Sequence, residues 1–228
     1  PYFTDFEINQ GFWKSYSEQS SWEWGAPNGY DINSAPSGNN VWATNLSGMI
    51  FLEDSYIESP CFDFSNLIEP VINIDFITVL GSGEGAALQS SIDGGISWQY
   101  VGAVGDTGNW YNDTCSNLNI FGTNTGAWNS YGTQSIWQNA SHELQYLAGE
   151  SNVKFRLILS SQMQWFDSEG FAFDNFMIYD ANNLQTVENI TTNTNYYAIQ
   201  EAINSSNNGD TIIAHPRSYF ENINFNGK

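Results

Sequence analysis

Four indoles, Trp110, Trp128, Trp137 and Trp165, fall in stretches rich in Asn, Asp, Gln and Gly, with Tyr111 and Tyr131 beside them. That mixture suits sugar. The C–H faces of a pyranose stack on an exposed indole while amides and carboxylates hydrogen-bond its hydroxyls. Trp128-Asn129 and Trp165-Phe166-Asp167 combine the two functions within a few residues, so Trp128, Asn129, Trp165 and Asp167 are the expected ligand contacts. Trp13, Trp22, Trp24, Trp42 and Trp98 are expected in the core or packed under turns. The second chemistry on offer is that of hard cations. Ca²⁺ takes roughly six to eight oxygens from carboxylates, amide carbonyls and water, and a chain with 25 Asp and Glu and abundant Asn is rich in them.

Catalytic patterns are weak by comparison. His142-Glu143 lacks the second histidine of a zincin helix, His215 stands beside Pro216, and no Gly-x-Ser-x-Gly elbow occurs. Cys61 and Cys115 have no sequence-evident histidine partner, their spacing fits no zinc pattern, and the pair makes one disulfide or none. Paired carboxylates of a glycosidase must stand about 5–10 Å apart, and position along the chain does not fix that distance. With no glycosidase signature present, the chain is expected to be noncatalytic. Ser91-Ile92-Asp93-Gly94-Gly95-Ile96-Ser97-Trp98 matches the Asp-box pattern familiar from sialidases and many unrelated β-proteins. A sialidase needs an arginine cluster for its substrate carboxylate, whereas Arg156 and Arg217 are the only arginines and fall in different expected domains. The box is therefore read as a hairpin turn whose Asp accepts backbone hydrogen bonds.

Charge narrows the partners. Twenty-five acids against five bases give a formal net charge of −20, which opposes nucleic acid, anionic membrane and unassisted acidic polysaccharide, and favours cations. No run of apolar residues is long enough to span a membrane as a helix. Aromatic residues reach 16% while Lys and Arg are scarce, the composition of loop-rich extracellular β-proteins. The chain opens Pro1-Tyr2, which reads as a mature or trimmed piece of an exported protein. Asn-x-Ser/Thr sequons at Asn45, Asn112, Asn139, Asn189 and Asn204 are expected by chance in so Asn-rich a chain.

The elements that must position these residues are mostly strands. Val71 to Leu80 is β-branched and aromatic, and reads as a central strand. Ala86–Ile92, Asp93-Gly94-Gly95 and Trp98–Val101 read as a hairpin. In Val153–Leu159 the odd positions are apolar while Lys154 and Arg156 share the other face, the period of a half-buried strand. Phe171–Ile178 changes phase at Asp174-Asn175, which predicts a bulge. Ser141–Ala148 is expected to form a short helical turn. The whole predicts an all-β chain, an antiparallel β-sandwich over residues 1–180, a polar linker over 181–194 and a second domain from 195.

Residues 195–228 offer a helical face at Ile199, Ala202 and Ile203, then Gly209-Asp210-Thr211, an apolar strand Thr211–Ala214, Pro216, Tyr219 and Glu221-Asn222-Ile223. This order resembles the opening coil of a right-handed parallel β-helix of the pectin-lyase-like kind, with Arg217 where a Gly is usual. A single coil buries its face only against the next, so the resemblance implies an appended, longer β-helix domain.

Asp5-Phe6-Glu7, Asn39–Leu46, Leu52 to Ser65 and Gly170–Asn175 together resemble a MAM-like or concanavalin-like jelly roll, of the sort that accompanies secreted bacterial proteins. The disulfide framework of animal MAM domains is absent. In such jelly rolls the first and last strands run side by side and a structural Ca²⁺ ties their acids to a loop. The resemblance implies Glu7 and Asp174 as ligands, Asn40 as a loop ligand, and Asp5 or Asp54 in reserve. The resulting expectation is a Ca²⁺-stabilised, noncatalytic, exported glycan-binding sandwich, with an adhesin or spacer, or an accessory domain of a β-helix lyase or hydrolase, as the alternatives.

Overall fold

The computed structural model describes residues 2–16, 20–123, 126–130, 135–161, 168–181, 187–196, 198–214, 219, 221 and 223–227. The chain divides into two units, Pro1–Asp180 and Ala181–Lys228.

In the first unit two antiparallel sheets enclose one core. The six-stranded sheet has the order β3 (Trp22–Gly25), β4 (Val41–Thr44), β11 (Gly170–Asp180), β6 (Pro70–Val79) and β9 (Gln138–Glu143), with β1 (Tyr2–Thr4) also paired to β11. The five-stranded sheet runs β2 (Lys14–Ser15), β5 (Glu53–Glu58), β10 (Lys154–Ser161), β7 (Gly85–Ser91) and β8 (Gln99–Tyr100). The unit is thus an antiparallel β-sandwich. The stretch 71–80 supplies the central strand β6, flanked by β11 and β9. In β10 the alternation sends Phe155, Leu157 and Leu159 into the core and leaves Lys154 and Arg156 on the outer face. The core is aromatic: Trp13 lies 5.0 Å from both Phe173 and Phe176, and Phe76 stacks on Phe171 at 5.8 Å. Each such ring, fully buried, contributes about 2–3 kcal/mol of hydrophobic stabilisation.

The phase change in β11 is a bulge. Its register against β6 shifts between Asp174 and Met177, and Asn175 takes φ 48°, a left-handed conformation that asparagine tolerates well. Residues 141–148 differ from expectation. Ser141, at the start of the expected helical turn, lies in β9 and pairs with Asn73, and only Gln145–Leu147 forms a 3-10 turn. The long antiparallel partner β6 outweighs a weak local helical signal. The Asp-box is the expected hairpin turn. Asp93 accepts hydrogen bonds from the Ile96 and Ser97 amides and from the Ser91 and Ser97 hydroxyls, and the Trp98 indole N–H donates to Gly95 O. The Ser97 bonds lead in holding its carboxyl well below the ordinary aspartate range. Cys61 is exposed and donates to Asn152 Oδ1, whereas Cys115 is buried and donates to Gly83 O.

The second unit is small. Strands β12 (Val187–Asn189), β13 (Thr194–Tyr196) and β14 (Ile212–Ala214) form an antiparallel sheet in the order β13-β12-β14, with helix α1 (Ile199–Ser205) burying Ala202 and Ile203. Glu221 accepts the Ile199 and Gln200 amides at the start of that helix. Helix and strand occur in the order the sequence suggests, but the pairing is not that of a parallel coil. β12, within the stretch read as linker, pairs antiparallel with both neighbours. The described residues between Tyr219 and Phe225 form no strand. The coil of a parallel β-helix is not shown by this unit, whose described strands pair antiparallel.

Candidate functional site

Trp128 is not a surface platform. It is 1% exposed, lies 4.9 Å from Trp110 and Tyr111 and 5.0 Å from Phe76, and stacks on Phe171 at 5.7 Å. The reason is a pairing between distant segments. Trp128 and Ala86 exchange both backbone hydrogen bonds, at 2.8 and 3.1 Å, which draws a Gly- and Asn-rich stretch into the sandwich at the head of β7. Asn129 is buried with it: its side-chain amide donates to Gly81 O at 3.0 Å and to Glu84 O, and its backbone N–H donates to Asn112 Oδ1. Both residues hold loops together. Trp110 is buried as well, donating to Val101 O, and Trp137 donates to Ser34 O. Trp165, Asp167 and Tyr131 lie outside the described residues.

The residues expected to hold metal meet at one loop. Glu7 Oε1 accepts the Asn39 and Asn40 amides at 2.9 and 2.6 Å, and Gly38, at φ +59°, leaves room for that carboxylate. Ser37, in the same loop, donates to Asp174 Oδ2 at 3.2 Å. Asp174 is fully buried, accepts the Asn175 amide, and has its carboxyl raised to about 7, chiefly by burial and further by the charges of Asp75 and Asp5. Asp75 in turn accepts the side-chain amides of Asn175 and Asn139. Asp54, the other reserve, accepts the Ser160 hydroxyl on the opposite sheet. Among the described residues no three acidic, histidine or cysteine side chains converge as a ready-made metal site.

Other carboxylates are engaged in holding loops. Glu169 accepts the amides of Tyr30, Asp31 and Ile32, and Asp180 those of Ile68 and Glu69. Glu53 accepts Ser21 N–H and the Ser21 and Ser55 hydroxyls, while Glu84 accepts Gly81 N–H and the Ser161 and Ser168 hydroxyls. In a chain with almost no Lys or Arg, N–H and O–H donors take the place of salt bridges. Two ion pairs occur among the described residues, Lys154–Glu58 and His142–Asp106.

An aromatic and polar surface lies on the outer face of the five-stranded sheet. Register places Asp54, Tyr56 and Glu58 of β5 on one side with Lys154, Arg156 and Gln89 of β10 and β7. Tyr16, 55% exposed and just past β2, stacks against Tyr56 with centroids 6.4 Å apart and planes 25° apart. The Arg156 guanidinium carbon sits 4.5 Å from the Trp98 ring, 5.1 Å from Tyr56 and 5.6 Å from Phe121, with Nε donating to Gln89 Oε1 at 2.6 Å. Lys154 Nζ meets Glu58 Oε2 at 2.9 Å. The 3-10 helix Ser116–Phe121 packs on β7 and β10, fixed there by Tyr100 Oη donating to Leu118 O and Gln89 Nε2 to Phe121 O. It bounds the surface on one side. What remains open is a shelf of half-exposed rings with hydrogen-bonding groups around it, the two requirements of sugar recognition. Local sequence presents only the Lys154/Arg156 alternation of this site; the rings that complete it come from four other segments.

No family model matches the chain, and no curated protein matches it. Among solved structures, the K3 cleaved adhesin domain of Lys-gingipain from Porphyromonas gingivalis aligns over 79% of this chain and 98% of its own, at 13% identity and TM-score 0.44. The xylan-binding domain of CBM 22 aligns over 80% and 95%, at 11% identity and TM-score 0.42. The C-terminal CBM6 of a marine laminarinase from Zobellia galactanivorans aligns over 78% and 98%, at 12% identity and TM-score 0.40.

Proposed function

We propose that the Pro1–Asp180 unit is a noncatalytic, exported carbohydrate-binding module that docks a glycan on the outer face of its five-stranded sheet. The observation that carries this reading is the shelf itself: the stacked Tyr16–Tyr56 pair, the half-exposed Trp98, and the Glu58–Lys154 pair beside them. The hydrogen bonds made by Glu7, Glu53, Glu84, Glu169 and Asp180 support a noncatalytic role, because each of these carboxylates holds a loop. Affinity electrophoresis through gels containing different polysaccharides tests the reading. Tyr16→Ala and Tyr56→Ala each remove a stacking face, and binding is expected to weaken about tenfold while the melting temperature changes little for the exposed Tyr16. Unretarded migration in every gel, or undiminished binding by both variants, overturns the assignment in favour of an adhesive or spacer role.

The module also carries a structural Ca²⁺ in this reading. The supporting observation is Asp174, a fully buried carboxylate whose charge is further disfavoured by the nearby acids Asp75 and Asp5. The donors around it are hard oxygens that suit Ca²⁺: Asp174, the Ser37 hydroxyl and the Asn175 amide oxygen, with Asn40 on the Ser37 loop and Glu7 in the N-terminal segment bound to that loop. Such an ion would clasp the N-terminal segment, the loop and β11 together, without entering the glycan shelf on the other sheet.

A further inference from the structure

The Pro1–Asp180 unit contains three basic residues, Lys14, Lys154 and Arg156, amid a strongly acidic sequence. All three fall on the five-stranded sheet. Lys14 in β2 and Arg156 in β10 both stand opposite Glu58 of the intervening strand, and Lys154 is two residues from Arg156 on the same face. Glu58 pairs with Lys154. Asp54 lies further along β5 and is held by the Ser160 hydroxyl. Arg156 is different. Among the described residues no carboxylate comes within ion-pair distance of its guanidinium, which instead lies against three aromatic rings with only its Nε hydrogen bond to Gln89. This half-buried cation is packed on rings, and Glu58, which favours its charge from across the strand pair, is already ion-paired with Lys154. Arginine's planar fork is the group best matched to a carboxylate.

We infer that the shelf recognises a glycan bearing carboxylates, a hexuronate unit whose carboxylate meets Arg156 with Lys14 alongside and whose ring lies against Tyr16 and Tyr56. The inference rests on the carbohydrate-binding reading above and narrows its substrate class. It also departs from what net charge alone suggests. A charge of −20 opposes acidic polymers at long range, but that repulsion is screened beyond about 8 Å at physiological salt, and the contact surface carries the unit's bases. Anion recognition is then direct and needs no bridging Ca²⁺.

The test is affinity electrophoresis of the full chain in gels of polygalacturonate, of the same polymer with its carboxyls reduced to neutral galactose units, and of dextran sulfate, each with and without EDTA. Polygalacturonate is expected to retard the protein in the presence of EDTA, and the carboxyl-reduced polymer and dextran sulfate are expected to retard it at least tenfold less. Arg156→Gln is expected to weaken polygalacturonate binding at least tenfold, and Arg156→Lys to restore part of it. Lys14→Gln, at an exposed position, provides a variant whose folding is not in question and is expected to weaken binding a few-fold. Equal retardation by the carboxyl-reduced polymer overturns the uronate assignment while leaving carbohydrate binding intact. Equal retardation by dextran sulfate makes the surface a general polyanion binder, and retardation lost in EDTA makes a cation the bridge; either result overturns the inference. Absence of retardation in all three gels overturns it together with binding of these glycans.

Discussion

Trp128→Ala is expected to destabilise the sandwich by about 3–5 kcal/mol, the cost of emptying a large aromatic site in a packed core, while leaving the affinity of the remaining folded protein for glycan unchanged. The ring fills the space between Phe76, Trp110, Tyr111 and Phe171. Its removal also loosens the segment that Ala86 holds through the paired backbone hydrogen bonds. Trp128→Phe is expected to cost distinctly less. Among the described residues the buried indole N–H of Trp128 has no hydrogen-bond partner, so the smaller ring loses packing but also removes an unsatisfied donor. Urea denaturation of the three proteins, with glycan affinity measured on each folded form, separates core from contact residue. A Trp128→Ala protein with wild-type stability and no affinity would reverse the assignment.

The second large effect concerns Asp174 and Ca²⁺. In the calcium-free protein the raised carboxyl means that the folded chain holds this proton more tightly than the unfolded chain. The corresponding stability is fully present below the unfolded value of about 3.9 and is lost as pH rises through about 7. With solvent screening allowed for, the loss is on the order of 2 kcal/mol. In EDTA, Asp174→Asn is therefore expected to raise stability at pH 7.5 and to flatten the decline between pH 4 and 7. Calcium reverses the sign. An ion bound only by the folded form stabilises by about 4 kcal/mol at a thousand times its dissociation constant, so 1–5 mM Ca²⁺ is expected to raise the melting temperature of the wild type and not that of Asp174→Asn. Melting curves at pH 5 and 7.5, with EDTA and with Ca²⁺, decide both points; a wild type indifferent to Ca²⁺ removes the clasp.

Much of the fold was legible where a physical constraint acts locally. The alternation in Val153–Leu159 has one solution as a strand with a buried face, and the phase change at Asp174-Asn175 has one as a bulge. The Asp-box closes through residues within its own hairpin. The site was less legible because it is assembled across the sheet. Tyr16, Tyr56, Trp98, Phe121 and Arg156 belong to five segments that strand register, the Asp-box turn and the docked 3-10 helix bring together. Trp128 misleads for the converse reason. Its neighbours in sequence are those of a surface loop, and the Ala86 pairing that buries it leaves no trace in local composition. Ser141 likewise carries a helical signal that β6 overrides. Glu7 accepts the Asn40 backbone amide, a contact between distant segments that local sequence does not announce.

The most direct test of the account is to map a bound glycan onto the protein by NMR. In a titration of isotope-labelled protein with the polysaccharide fragment that retards it most, the account predicts shifts concentrated at Tyr16, Tyr56, Arg156 and the indole N–H of Trp98, with the six-stranded sheet unaffected. Shifts centred instead on Gly81–Glu84 and Asn129-Ser130, or spread evenly over both sheets, would contradict it.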